Sequence, residues 1–117
     1  MTQRLKEFRE FREKLNERIL AAKNLNINRF FTLDGKAYEA AALPALTKEF
    51  AGLAASMVLR CDDCITYHVI RCQELGATNE QLMEVFNVGL IVGGSIVIPH
   101  LRRAMALLDE LNSEAKK

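Results

Sequence analysis

The chain has 117 residues, of which 50% are hydrophobic and 26% charged, a balance that excludes a disordered protein and fits one globular domain spanning 1–117. Its 16 Lys and Arg residues nearly cancel 15 Asp and Glu residues, so no basic field attracts nucleic acid or an anionic membrane. The charged N-terminus lacks the apolar centre of a signal peptide. The most apolar run, residues 85–98, is shorter than the roughly 20 residues of a membrane span. We therefore expect a cytoplasmic protein that binds neither nucleic acid nor membranes.

The first part of the chain is predicted to hold one long and one short helix. Apolar residues recur at three- and four-residue spacing from Leu5 to Ile19, which indicates an amphipathic helix ending near Lys23. The asparagines at 24, 26 and 28 are expected to break this helix, because Asn competes with the helical backbone. The Asp-Gly pair in residues 32–36 predicts a turn, and a short helix is expected over residues 38–43.

The rest of the chain also reads as helical. Pro44 suits the first turn of a helix. Gly76 predicts the end of a later helix, and the Thr78/Gln81 capping box predicts the start of the next one. Gly93 and Gly94 are expected to interrupt the chain again before Pro99. The expected helices are 44–60, 61–75, 78–92 and 99–111, followed by a frayed tail. The sequence thus predicts an all-α bundle of five to six helices.

A cysteine–histidine stripe marks the segment "RCDDCITYHVIR" (60–71). On a helix, Cys61, Cys64, His68 and Cys72 share one face, since they lie three, four and four residues apart. The helix start favours a thiolate at Cys61, although Asp62 and Asp63 oppose it. Cys64 lies one turn before His68, within reach of an imidazole base, and a second thiol one turn away can trap an oxidised sulfur as a disulfide.

Two other interpretations of this stripe remain open from the residues alone. Buried cysteines commonly act as small hydrophobic side chains, and a single histidine on an apolar helix face is commonly a core residue. A zinc site could use Cys61, Cys64 and His68, with Cys72 or His100 as the fourth ligand. Residues 61 to 72 span ~16 Å of helix, too far for one ion, so zinc would need His100 or another chain. We expect no metal or other cofactor.

Glu49 completes a longer pattern, Glu-x11-Cys-x2-Cys-x3-His, with Cys61, Cys64 and His68. Together with "LGATNEQLMEVF" (75–86) and "GGSIVIPHLRRAM" (93–105), this pattern resembles the alkylhydroperoxidase-D-like branch of the carboxymuconolactone decarboxylase family. The resemblance covers roughly residues 33–108 and leaves the N-terminal helix, 1–24, as an addition.

The resemblance implies an all-helical subunit that assembles into trimers or hexamers and has thiol-dependent peroxidase activity. Carried over residue by residue, Cys64 would be the peroxidatic thiol and Cys61 the resolving one. His68 would serve Cys64 as its base, and Glu49 would orient His68 or relay a proton. The implied partners are a small peroxide and an external dithiol reductant of thioredoxin-like or lipoyl type. One departure is Asp63, which stands where the best-known members have histidine.

Two rival functions remain at this stage. A decarboxylase acting on a ring-opened lactone would use Glu49 and His68 as acid and base without any thiol. A non-catalytic helical oligomer would use neither. Residues 85–98 are apolar nearly all round, and Gly89 and Gly93 lie four residues apart on one face, so close packing of another helix is expected there. That helix could belong to a second subunit or to the segment after Pro44; we expect an obligate oligomer.

Overall fold

The computed structural model describes residues 2–115, and all regular secondary structure over that range is helical. They are α1 (Gln3–Ala21), α2 (Leu25–Ala37), α3 (Ala45–Val58), α4 (Asp62–Glu74), α5 (Asn79–Gly93), a short 3-10 helix (Ser95–Val97) and α6 (Ile98–Ala115). The all-α expectation is confirmed. Across the described part of the chain, no helix is both long and apolar enough to cross a membrane.

The chain divides into two compact units at Glu39. The first contains α1 and α2, and the second contains α3 to α6. In the second unit α3 packs against both α4 and α5, and α4 packs against α6. Each of these helices contributes side chains that are almost fully buried: Leu53 and Met57, Ile65 and Val69, Leu82 and Phe86, and Ala104 and Leu107. The central position of α3 places one of its faces beside the cysteine helix.

The helix ends of the second unit follow their predicted signals. Gly76 has a φ of 93° and ends α4 in the left-handed conformation that glycine adopts without a Cβ clash. Thr78 and Gln81 form the capping box that begins α5. Gly94, with a φ of 83°, separates α5 from the 3-10 helix. The last helix passes the expected end at Leu111 and reaches Ala115, while residues 116 and 117 of the expected frayed tail lie outside the described residues.

The prediction for residues 24–43 was wrong. Asn24 begins a helix rather than merely breaking one, because its side chain accepts the Ile27 N–H at 3.1 Å. α2 then runs through the predicted Asp-Gly turn, since the hydrogen bonds of a helix already started outweigh the cost of about 1 kcal/mol of a glycine inside a helix. Residues 38–43 form no helix. Pro44 favours an extended backbone at Leu43, which is incompatible with a continuing helix.

The small-residue positions on α5 serve a contact inside the chain. A Cβ at Gly89 would lie 3.1 Å from the Met57 Cβ, so close packing of α3 against α5 requires the absence of a side chain there. A Cβ at Gly93 would collide with Val97. The partner expected for this stripe is therefore the helix after Pro44. A larger residue at Gly89 would disturb the fold itself and is no specific probe of assembly.

The link between α3 and α4 is a Schellman motif with arginine in the position that glycine usually takes. Arg60 has a φ of 60°, its N–H donates to the Met57 carbonyl at 3.0 Å, and the Cys61 N–H donates to the Ser56 carbonyl at 3.1 Å. Cys61 is also the N-cap of α4. This single residue thus ends one helix and begins the next, which holds its backbone in place from both sides.

Arg60→Gly should raise the free energy of unfolding by about 1 kcal/mol relative to Arg60→Ala. Both substitutions remove the guanidinium group, but only glycine adopts the left-handed conformation without a Cβ clash. Chemical denaturation of the two variants under the same redox conditions measures the difference. Equal unfolding free energies would contradict the assignment of strain to this joint.

Candidate redox site

Cys61 and Cys64 are joined by a disulfide, with their Cα atoms 5.2 Å apart. Cys61 lies at the N-cap of α4, where its Sγ accepts the Cys64 N–H at 3.3 Å. The sulfur therefore meets the unpaired N–H groups and the positive end of the helix macrodipole. Cys61 is half-buried, whereas Cys64 is exposed. An attacking reagent from solvent thus reaches Cys64 more readily than Cys61.

The buried part of the site is a carboxylate–imidazole pair between two helices. His68 on α4 and Glu49 on α3 are 8% and 2% exposed, and His68 Nδ1 lies 2.7 Å from Glu49 Oε2. A carboxylate can only accept a hydrogen bond, so the neutral His68 ring carries its proton on Nδ1 and its basic lone pair on Nε2. His68 also follows Cys64 by one helical turn, which places a base behind the exposed cysteine.

Arg71 extends this pair towards the surface. Its Nε lies 4.0 Å from Glu49 Oε1, the carboxylate oxygen that His68 does not contact, and its NH1 group donates to Glu74 at 2.7 Å. A buried carboxylate needs such compensation because burial removes the water that would otherwise solvate its charge. The sequence offered Arg71 only as one of several arginines. Its link to Glu49 depends on how α3 packs against α4.

Cys72 belongs to the predicted stripe but not to the reactive group. It is fully buried as a free thiol. Burial, reinforced by the Glu49 charge, raises the pKa of the Cys72 thiol to about 12. A thiol needs its thiolate form to react, so Cys72 is inert near neutral pH and acts as a small core residue.

A second carboxylate–histidine pair lies at the start of α4, and the sequence analysis missed it. Asp62, the residue after Cys61, contacts His100 Nδ1 through Oδ1 at 2.8 Å and accepts a hydrogen bond from Arg103 through Oδ2. Both partners come from α6. His100 lies 38 residues after Asp62 and Arg103 lies 41 residues after it, so no local sequence signal links them. His100, weighed above as a zinc ligand, is thus paired with Asp62, and within residues 2–115 no three His, Cys, Asp or Glu side chains are grouped to hold a metal ion.

Comparison with known proteins identifies the family. The profile of the carboxymuconolactone decarboxylase family matches residues 27–109. The chain belongs to the carboxymuconolactone decarboxylase family. It is 35% identical over 72 residues to an uncharacterised protein of Cupriavidus necator, and the match spans 64% of that protein. It is 34% identical over 83 residues to an uncharacterised protein from the cox locus of Paracoccus denitrificans, and this match spans 75% of that protein.

Solved structures of family members resemble the chain closely. A Thermotoga maritima protein is 52% identical, with a TM-score of 0.93 over 95% of this chain and 97% of that one. A second structure of it, with a TM-score of 0.90, 51% identity and coverage of 94% and 93%, is described as a carboxymuconolactone decarboxylase family protein with a suggested part in the antioxidative response. A family protein of Legionella pneumophila, 21% identical with a TM-score of 0.84 over 93% of this chain and 97% of its own, shares the fold.

The four predicted site residues thus form two adjoining pairs. The disulfide joins Cys61 to Cys64, and a hydrogen bond joins His68 to Glu49. The family of the chain is shown, whereas the catalytic roles of these four residues are predictions. The arrangement combines an accessible sulfur, a second sulfur at a helix start and a buried proton acceptor, which are the groups that thiol redox chemistry needs.

Proposed function

We propose that this chain is a thiol-dependent peroxidase, an oxidoreductase that reduces a small peroxide with Cys61 and Cys64. The observation that carries the proposal is the Cys61–Cys64 disulfide at the start of α4, with His68 one turn after Cys64 on the same helix and hydrogen-bonded to Glu49 of α3. An external dithiol, of thioredoxin-like or lipoyl type, regenerates the two thiols. The antioxidative role suggested for the Thermotoga relative supports the same class of chemistry.

The peroxide step starts from the reduced pair. His68 takes the proton of the Cys64 thiol, and the thiolate attacks one peroxide oxygen. The O–O bond breaks, the sulfur becomes a sulfenic acid, and the leaving alkoxide takes the proton back from His68 and departs as an alcohol. Glu49 accepts the Nδ1–H hydrogen bond throughout, so it orients His68 and stabilises the imidazolium that forms.

Two further steps close the cycle. The Cys61 sulfur attacks the Cys64 sulfenic sulfur, an S–S bond forms, and hydroxide leaves with the Cys61 proton as water. The external dithiol then attacks the disulfide, becomes oxidised to its own disulfide and returns both cysteines to thiols. Cys64 is the exposed sulfur, so the donor attacks there and Cys61 leaves as the thiolate.

The two rival functions receive less support from the contacts. A dicarboxylate substrate of a lactone decarboxylase would need free arginines near Glu49 and His68, but Arg71 is bound to Glu74 and also faces Glu49. A non-catalytic assembly would leave the buried carboxylate–imidazole pair and the exposed Cys64 without a role. Neither alternative accounts for the pairing of Cys61 with Cys64.

Cys64→Ser should abolish peroxide consumption, whereas Cys72→Ser, which removes the buried thiol, should leave it unchanged. The reduced protein is mixed with a stoichiometric amount of peroxide, and residual peroxide, intact mass and free thiols are measured. The unmodified protein should lose two thiols and keep Cys72. Loss of Cys72 instead, survival of both motif thiols in excess peroxide, or lactone turnover that Cys64→Ser does not affect would refute the proposal.

His68→Gln should lower the rate of peroxide reduction by about 100-fold or more, because general-base assistance is lost. Glu49→Gln should lower it less, because the imidazole remains but loses its negative partner. The rate of peroxide reduction is measured against pH for the unmodified protein and for both variants. The same pH–rate profile in His68→Gln would remove His68 from the mechanism.

We also propose that the working protein is a homo-oligomer, a trimer or hexamer, in which a second copy covers α5. Val88, Ile91 and Val92 on this helix are 54%, 77% and 69% exposed. Beside them lies an open apolar groove of about 450 Å³ between α3 and α5, lined by residues that include Leu59 and Val92. Apolar side chains exposed together are typical of a subunit interface.

Ile91→Lys should lower the molecular mass measured by light scattering, because burial of a lysine at an apolar interface is unfavourable. Ile91→Leu, which keeps the apolar surface, is the matched control and should retain the mass of the unmodified protein. Both variants should keep the helical circular dichroism of the fold, since Ile91 is exposed. A monomeric unmodified protein at micromolar concentration would rule out this assembly.

A further inference from the structure

The charged cluster at the start of α4 lies directly beside the resolving cysteine. Asp62 follows Cys61 in the chain, so their Cα atoms are about 3.8 Å apart. One oxygen of Asp62 contacts His100 and the other accepts from Arg103, both on α6. The side chains of Asp62 and His100 are 35% and 18% exposed, which shields their interaction in part from water.

Opposing charges act on the sulfur of Cys61. The Cys64 N–H and the start of α4 favour a thiolate there. Two carboxylates in the first turn, Asp62 and Asp63, disfavour it because like charges repel. Asp63 is exposed and therefore screened by solvent, whereas Asp62 is half-buried and held by its partners on α6. Arg60, on the other side of Cys61, is an exposed cation.

The negative charge of the Asp62 carboxylate is compensated by its two partners on α6. Burial raises the pKa of the Asp62 carboxyl, but hydrogen bonds from His100 and Arg103 lower it by more, so its pKa lies below the ordinary value. Asp62 is therefore ionised wherever a thiol titrates, and its charge is compensated by Arg103 and by the hydrogen bond from His100. Without these two partners, Cys61 would become a thiolate next to an uncompensated negative charge.

We propose that His100 and Arg103 are positioning residues for the resolving thiol. They compensate the negative charge of Asp62 and so favour the thiolate form of Cys61. The catalytic consequence rests on the proposed function. A more acidic Cys61 attacks the Cys64 sulfenic acid more readily, and it is a better leaving group when a dithiol attacks Cys64. The effect on the acidity of Cys61 is independent of any peroxidase activity.

The two cysteines would then each have their own carboxylate–histidine pair. Glu49 and His68, both buried, serve Cys64, whose proton must be removed by a base. Asp62 and His100, partly exposed, adjust the charge around Cys61, which the helix start already favours as a thiolate. The two pairs match the difference between the two sulfurs. Cys64 is exposed and is the thiolate that attacks the peroxide, whereas Cys61 is half-buried and carries a negative charge when it leaves the disulfide.

The test uses the Cys64→Ser/Cys72→Ser protein, in which Cys61 is the one remaining thiol. The rate of its alkylation by iodoacetamide is measured against pH and yields the thiol's acidity directly. Arg103→Gln and His100→Gln should slow alkylation at a fixed pH below the midpoint by about threefold to tenfold, whereas Asp62→Asn should accelerate it by a similar factor. Arg102→Gln removes an equally charged, exposed neighbour on α6 and should change the rate by less than about twofold.

The opposite signs separate this proposal from a purely structural role. If the cluster only anchored α4 to α6, all three substitutions would change the alkylation rate in the same direction, and that outcome, or no change, would overturn the proposal. Circular dichroism verifies the fold of each variant, and if Asp62→Asn does not fold, the comparison of Arg103→Gln with Arg102→Gln decides alone. Failure of the peroxidase assay with these signs intact would refute the proposed function and leave this inference standing.

Discussion

The hydrogen bond between Glu49 and His68 is the contact on which the organisation of the site depends. Both side chains are buried, and neither could be buried alone without a large loss of solvation. The two residues lie 19 positions apart on different helices, and their atoms approach to 2.7 Å. The bond therefore sets how α4 is rotated against α3. That rotation buries His68 against Glu49, while Cys64, one turn earlier on the same face of α4, stays exposed.

Cys61 has a comparable role in the backbone. Cys61 follows the left-handed Arg60, and its N–H donates a hydrogen bond to a carbonyl at the end of α3. Cys61 is also the N-cap of α4, and its sulfur accepts a hydrogen bond from an N–H at the start of that helix. The geometry that brings the helices together is thus the geometry that positions the sulfur.

The surroundings of the three cysteines differ in ways that follow from burial. Cys72 has no access to water, and its thiol is kept protonated by the low-polarity core. Cys64 is exposed and lies one turn from His68. Cys61 is intermediate, with the helix start and the Asp62 cluster around it. One helix of 13 residues and its N-cap therefore carry three chemically distinct sulfurs, although the sequence presents them as a regular stripe.

The sequence by itself determined the features that depend on neighbours along the chain. The capping box at Thr78 and the helix end at Gly76 are local features, and both were predicted correctly. The spacing of Cys61, Cys64 and His68 is likewise local and can be read from the sequence directly. A local preference failed where two signals competed: the Asp-Gly pair at 34–35 was expected to form a turn, but the helix capped by Asn24 continued through it. The family resemblance implied that Glu49 orients His68, and the tertiary structure brings the two side chains together. Only the tertiary structure decided that Arg71 faces Glu49, that Gly89 packs on Met57 and that Asp62 binds His100 and Arg103. These contacts join residues on different helices, and no periodicity within a helix specifies which face of a distant helix will pack against it.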